Sequence, residues 1–455
     1  MARPIWIRGR HKAFGLGLLT DAPPQPFSAT PDPCALQSSP PAFKSSQASQ
    51  LCPPVNLALS LGPTTMNILW ISGRLPGPLF SGDALYSAGL IKALATMEDV
   101  TLCVLGNRRD TTSDFTKTIG SQRATFVDFP PPLRSDAWSI VSSLPKDAFK
   151  LATPDLQAGL VKLLAREWDW IIVDHANSAG LLPTILARRG KARLCYIAHN
   201  AEGKIRPEIA ASAPGFLVRT AMRLDAEKYR RLENAVVSAA DSIICISDAD
   251  VGYFSRATNI QVVPPVYLGP STPSITIGAS RPRRLLLLGS FEWRAKQRNL
   301  ESILKTVGPQ LKKNDIHLDV VGAVPREVTQ QVSSTASLVT FHGQLGDVRE
   351  LFQCARGGLV AETLGGGFKL KVLDYAFQGL PIFGLRAALA GTTAEEQSCM
   401  FLADSLDDLG AKIVENIDDT DRLHRSQHKL QELASNRYGL EMGTRRLRDV
   451  FFAKA

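Results

Sequence analysis

The sequence predicts an α/β protein of two Rossmann-like domains, each a doubly wound parallel sheet, facing a central cleft. Two observations carry this: apolar strand runs alternate with helical stretches, and the alternation begins twice. The first series opens at Met66 with strands over 68–72, 100–105, 170–173, 193–198 and 242–246, and a helix near 85–95. After Val263-Pro264-Pro265 and a proline- and serine-rich loop over 269–280 it restarts, with strands over 284–289, 317–322, 338–342, 358–361 and 381–384. The chain therefore divides into 1–65, a disordered extension or a segment upstream of the true start; 66–270, an N-terminal Rossmann-like domain; 271–430, a C-terminal Rossmann-like domain; and 431–455, a helix with the option of packing back on the N-terminal domain.

Composition agrees. The 455 residues are 44% hydrophobic and 21% charged, enough to bury one or two large cores. Proline pairs among Ser, Gln and Ala give residues 1–65 no period and no core, so they are expected to be dispensable for folding. Seven scattered cysteines without a C-x-x-C pair argue against structural zinc or redox chemistry and read as thiols of a reducing compartment, the cytoplasm. A net charge of +9 favours anionic partners, but nucleotide phosphates, acidic lipid and nucleic acid all qualify. No run reaches the roughly 18 to 20 apolar residues that a membrane span needs.

The stretch GGGFKLKVLDYAFQGLPIFG, from Gly365 to Gly384, is the richest in chemistry. Glycines after a strand let backbone amides approach a ligand, and the following helix offers its positive end to an anion. Gly366 and Gly367 belong to the loop. Lys371, placed one turn into the helix, and Asp374, three residues on, share a face, as a diphosphate cation and a ribose carboxylate would, whereas Lys369, two residues before Lys371, is rotated about 200° away and expected to be nearly silent. A Gly-rich turn before an ordinary surface Lys/Asp pair fits the spacing equally well. A second stretch, LLLLGSFEWRAKQRNLESIL, puts Arg294, Lys296 and Arg298 just after the first strand of the second series, where parallel sheets bind ligands. On its own it is a solvated helix start; its value lies in sharing a sheet edge with the glycine loop.

Together GSFEWRAKQRNL, LDVVG, FHGQLGDVRELFQCARGGLV and GGGFKLKVLDYAFQGLPIFG resemble, in order and spacing, the C-terminal domain of glycosyltransferase family 4 enzymes of the GT-B fold. The N-terminal half is similar more loosely, through the glycine loop after the first strand, YIAHNAE, and ENAVVSAADSIICIS. The resemblance implies retaining transfer of a sugar from a nucleoside-diphosphate sugar to a glycan or lipid-linked hydroxyl, with no cofactor. It implies that Lys371 and one or both of Arg294 and Lys296 bind the diphosphate, with Asp374 where the family has a ribose-binding glutamate. The first acid of the family's Glu-x7-Glu pattern falls at Gly366, and Glu362 stands too early to replace it. A degenerate sugar-nucleotide-binding scaffold and a sugar-nucleotide epimerase are the alternatives. A nicotinamide dehydrogenase is disfavoured, because the loop after Ile71 lacks G-x-G-x-x-G.

His199, at the end of the 193–198 strand, is the catalytic candidate facing the cleft, with His175 a weaker one; a satisfied structural histidine is the competing reading of each. Gly82 and Asp83 lie in the loop that approaches acceptor and phosphates in similar enzymes, and a plain turn and helix cap also explains them. Asp248-Ala249-Asp250 has the spacing of a metal-binding D-x-D, but Ser247 and Asp248 read better as a helix cap and first-turn acid, so no metal is expected. Between Lys204 and Arg231, cations interleave with Phe216, Leu217, Val218 and Leu224. That pattern suits peripheral contact with the anionic inner face of a membrane, although a solvated helix with one buried side explains it too. Nucleic acid is not an expected partner.

Overall fold

The computed structural model describes residues 65–453 apart from 76–81, 108–118, 120–122, 130–134, 256, 258, 273–275, 293, 334–337 and 365–366. The N-terminal extension expected to lack a core lies outside them. The first sheet holds β1 (Met66–Ser72), β2 (Val100–Asn107), β3 (Ala124–Phe129), β4 (Trp170–Asp174), β5 (Arg193–Ala198), β6 (Ser242–Cys245) and β7 (Ile260–Val262), ordered β3-β2-β1-β4-β5-β6-β7. Every pairing in it is parallel. Ile68, Leu69, Trp70 and Ile71 are buried on both faces, as the continuous apolar run of a central parallel strand requires.

The second sheet holds β8 (Arg284–Leu288), β9 (His317–Val321), β10 (Val339–Gly343), β11 (Gly357–Val360), β12 (Ile382–Leu385) and β13 (Phe401–Ala403), ordered β10-β9-β8-β11-β12-β13 and again parallel throughout. In both sheets the strand order reverses beside the first strand, between β1 and β4 and between β8 and β11. The crevice at the carboxyl ends of such strands is where doubly wound folds bind ligands. Chain crossings there are tight: Gly322, at φ +130° after β9, lies so close to Gly289 after β8 that a β-carbon would collide with the Gly289 carbonyl.

Two helices close the chain. Thr420–Tyr438 buries Leu423, Leu430 and Ala434 in the core of the second sheet, whereas Leu440–Phe452 crosses to the first and buries Leu447, Val450 and Phe451 there. At about 1.5 to 3 kcal/mol for each buried apolar side chain, the last helix ties firmly to the N-terminal half. The Phe451 carbonyl accepts from Trp170 Nε1, and Arg448 forms a two-armed ion pair with Asp99 at 2.8 Å per arm. No described helix is long and apolar enough to cross a membrane.

Candidate active site

At the crevice of the second sheet, Glu362 follows β11 and forms an ion pair of 2.5 Å with Lys371. Burial opposes the Glu362 charge, but Lys371 and Lys369 outweigh it and hold its pKa below the usual carboxylate range. Its second oxygen, Oε2, is buried without a hydrogen-bond partner among the described residues. Lys296, in the first turn of the helix Arg294–Thr306 after β8, has its pKa lowered by desolvation and by Lys371. Arg294 opens that helix, exposed and bonded to Gln297. Lys296, Lys369, Lys371 and Glu362 thus form one coupled cluster of three cations around one carboxylate.

Two details differ from the sequence reading. The helix after the glycine loop begins at Lys371 rather than a turn earlier, so Lys371 is its first residue. Lys369 therefore precedes the helix, and the helical rotation that would turn it away from the site does not apply. Its ammonium donates to the Gly367 carbonyl at 3.1 Å, and its pKa is lowered by burial and by Lys371 and Lys296, against the pull of Glu362. Lys369→Ala, expected from the sequence to be silent, is now expected to weaken anion binding about 3- to 10-fold, measured by nucleotide titration beside exposed Lys305→Ala, which should match the wild type.

Asp374 lies one turn after Lys371 and faces Tyr267 of the segment joining the two halves. Burial pushes its pKa up to about 6, against the Tyr267 hydrogen bond and the Lys371 charge. Asn299 was not singled out from the sequence. Buried on the helix after β8, it accepts from the Thr363 and Leu364 backbone amides and donates to the Leu364 carbonyl, fixing the entrance of the glycine loop. An asparagine 64 residues from Thr363 in sequence gives no local signal of that contact. Gly366 lies outside the described residues. Gly367, at φ +75°, presses against the other half so closely that a β-carbon would collide with Asn200 Oδ1.

That contact brings the two halves of the candidate site together, because Asn200 adjoins His199 at the end of β5. His199 is buried, with Nε2 2.6 Å from Asp174 Oδ1. Since an ionised carboxylate only accepts, the proton sits on Nε2. Asp174 Oδ2 accepts from Ser87 Oγ at 2.6 Å and Trp70 Nε1 at 3.1 Å. Burial works against the Asp174 charge, but the charge and hydrogen bond of His199, with the Ser87 and Ser72 hydroxyls, leave its pKa lowered. His175 sits beside His199, ring centroids 4.9 Å apart, in a left-handed conformation at φ +68° that costs energy for a side chain of its kind. Desolvation and His199 lower its pKa. These groups line a small polar pocket with Ser72, Gly73, Arg74 and Asp83 at the reversal point of the first sheet.

The loop bearing His199 is held from behind by Glu233, also missed in the sequence. Its buried carboxylate accepts from the Glu202 and Gly203 amides at the start of helix Glu202–Ala211 and from Tyr253 and Tyr196. Asp83 pairs with Arg74 at 3.2 Å and acts across the cleft on Lys296. Gly82 and Asp83 open the helix Gly82–Ala95 rather than lying in a loop, and a β-carbon on Gly82 would lie 3.5 Å from Leu370 Cδ1, so this helix start too meets the opposite half.

The D-x-D carboxylates do not converge. Asp248 pairs with Arg437 at 3.6 Å, while Asp250 accepts from Ser247 Oγ at 2.8 Å. Ser247 occupies the N-cap of helix Asp248–Val251, but its hydroxyl serves Asp250 rather than a helical amide. No group of three or more His, Cys, Asp or Glu among the described residues is placed to hold a metal. Cys103, Cys195, Cys245 and Cys399 are buried free thiols, and burial pushes Cys103 up to about 11.

Residues 282–419 match the family described as Glycosyl transferases group 1. No curated relative matches the sequence. Among solved structures, Anabaena HepE in complex with UDP and glucose superposes with a TM-score of 0.58 at 16% identity, covering 86% of this chain and 100% of that one. A variant of S. aureus TarM, in complex with fondaparinux, alpha-GlcNAc-glycerol and UDP, gives 0.60 at 8%, covering 85% and 100%. The trehalose-6-phosphate synthase OtsA gives 0.58 at 12%, covering 86% and 99%. Two parallel Rossmann-like sheets, matched over nearly the whole length of these proteins, give the chain the GT-B fold, and its second half carries a segment similar to group 1 glycosyl transferases.

Proposed function

We propose that the chain is a glycosyltransferase that moves a sugar from a nucleoside-diphosphate donor to a hydroxyl of a glycan or glycolipid, with retention and without a divalent ion. The observation that carries this reading is the cation cluster of Lys296, Lys369 and Lys371 at the reversal point of the second sheet, beside a glycine loop that meets the His199 loop. Lys296 and Lys369, whose pKa values are lowered by burial and by the neighbouring Lys371, gain most from a dianionic neighbour, because each then loses repulsion as well as gaining a partner. Charge builds on the leaving diphosphate as the glycosidic bond breaks, and preorganised cations and helix-start amides lower that barrier.

Lys371, Lys296 and Arg294 take the diphosphate with the amide of Gly367, and Lys371 exchanges part of its contact with Glu362 for phosphate. Although Glu362 stands too early in the sequence to match the family's acid, its unpartnered Oε2 then accepts from a hydroxyl of the donor sugar, the contact that Gly366 cannot supply. Asp374 accepts from the ribose. His199, with Nε2–H engaged by Asp174, offers the Nδ1 lone pair to a sugar or acceptor hydroxyl. Gly82 and Asp83 border the acceptor. HepE bound to UDP-glucose and TarM bound to a glycan support UDP-sugars and glycans as first substrates to try.

The direct test is turnover of UDP-sugars, with glycan acceptors, in excess chelator. Full activity is expected; activity that chelator abolishes and Mn or Mg restores would contradict the metal-free mechanism. The Asp374 carboxyl adds a pH signature. With a pKa near 6 it accepts ribose hydroxyls fully only above that value, so donor affinity should fall about 3- to 10-fold as pH drops through 6. Asp374→Asn should bind weakly and without that pH dependence. A step that persists in Asp374→Asn would assign it to another group.

A further inference from the structure

The helix Phe216–Ala239 begins as an uncovered tip. Phe216 is 78% and Leu217 81% exposed, and Leu224, two turns on, is 57% exposed. A second apolar group stands beside the same helix: Trp138, Ile140 and Val141 are 67%, 65% and 80% exposed. Lys228 fastens that segment to the helix by donating to the Ser139 and Ile140 carbonyls at 2.7 and 3.0 Å. From Leu217 to Lys228 the helix rises about 16 Å, so the two groups form one ridge of large side chains rather than scattered exposures.

The polar groups on this ridge are mainly cations. Arg219 and Arg223 flank the apolar tip, and from residue 212 to 224 there is no acidic residue. Farther along, Glu227 is occupied by Arg230 and Arg231. Its position is also specific: the loop leading into the helix meets the opposite half where Arg298 Nη1 donates to the Ser212 carbonyl at 3.2 Å. Arg298 is two residues from Lys296, so the apolar tip stands at the rim of the cleft.

We propose that this ridge docks the protein on an anionic lipid surface, with Trp138, Phe216 and Leu217 entering the interface and Arg219 and Arg223 meeting the headgroups. Aromatic and aliphatic side chains flanked by unneutralised arginines are the composition that an interfacial surface selects, whereas a protein interface disfavours uncompensated charge at its core. Docked in this way, the rim of the cleft lies at the bilayer, within reach of an acceptor carried by a lipid. The surface stands independently of the transferase reading, so its test uses neither donor nor acceptor.

The full chain is sedimented with vesicles of phosphatidylcholine alone and with about a third phosphatidylglycerol. Binding is expected to the anionic vesicles only. Arg219→Glu with Arg223→Glu should lower the partition coefficient about 30-fold or more, and Phe216→Ser with Leu217→Ser about tenfold, with melting temperatures unchanged. Brominated lipid should quench the fluorescence of the wild type more than that of Trp138→Phe, a readout that does not depend on the other variants. Absence of binding to anionic vesicles, or equal binding to neutral ones, would overturn the proposal. So would a wild type that light scattering shows to be dimeric and Phe216→Ser with Leu217→Ser to be monomeric, which would make the ridge a contact between copies.

Discussion

Replacing Lys371 with alanine is expected to lower donor turnover roughly 30- to 1000-fold, the equivalent of about 2 to 4 kcal/mol of transition-state binding. The ammonium lies at the first residue of its helix, 2.5 Å from Glu362, where desolvation strengthens its attraction for phosphate. The same closeness complicates the variant, because it leaves the Glu362 carboxylate buried and unpaired. Adding Glu362→Gln separates the two effects. If loss of the phosphate contact dominates, Lys371→Ala with Glu362→Gln should stay as inactive as Lys371→Ala. Recovery to near the activity of Glu362→Gln alone would show that the orphaned carboxylate caused the defect, and would remove Lys371 from the donor site. Lys305→Ala, with its charge exposed in the last turn of the neighbouring helix, controls for general electrostatics.

The second large effect is expected at Asp174. Asparagine keeps the shape and can accept from Ser87 and Trp70 through its oxygen, but it turns an amide donor towards His199 Nε2. His199 should then carry its proton on Nδ1, and the lone pair offered to the cleft is lost. Turnover of Asp174→Asn should fall roughly 100-fold or more, within the range of general acid–base and tautomer defects. Nitrogen-15 NMR of the histidines should report Nε2–H in the wild type and Nδ1–H in the variant. Stability should drop by about 1.5 to 3 kcal/mol, since charge-assisted bonds become neutral ones. Because the folded Asp174 pKa lies below its unfolded value near 3.8, its contribution is present above that value and is lost as pH falls through the folded pKa. The deficit of Asp174→Asn should therefore be full at neutral pH and shrink in strong acid. An unchanged tautomer with unchanged turnover would leave Asp174 and His199 with a packing role alone.

The central strands were legible because burial on both faces writes a continuous apolar run, as in Ile68 to Ile71 or Leu285 to Leu287. The strands that the sequence did not reveal, β3, β7 and β13, each stand at the edge of a sheet. The three residues of β7 and of β13 are too few to show a period, and only Ala124 of the six in β3 is buried. In the candidate site, Lys371, Lys296 and His199 could be found because they follow strand ends. Asn299, Glu233 and Asp174 could not, since each acts through contacts between segments distant in sequence: 64 residues separate Asn299 from Thr363, and 25 separate Asp174 from His199. Lys369 was misread because its position was inferred from helical rotation, and the helix starts two residues after it.

Hydrogen–deuterium exchange of the full chain, with whichever of UDP, GDP or ADP raises its melting temperature, tests the central claim most directly. Protection is expected at the start of helix Arg294–Thr306 and over 362–373, the two segments that meet at the reversal point of the second sheet. Binding by none of these nucleotides, or protection confined to the pocket around Ser72, Asp174 and His175, would contradict a nucleotide-sugar site in the C-terminal half.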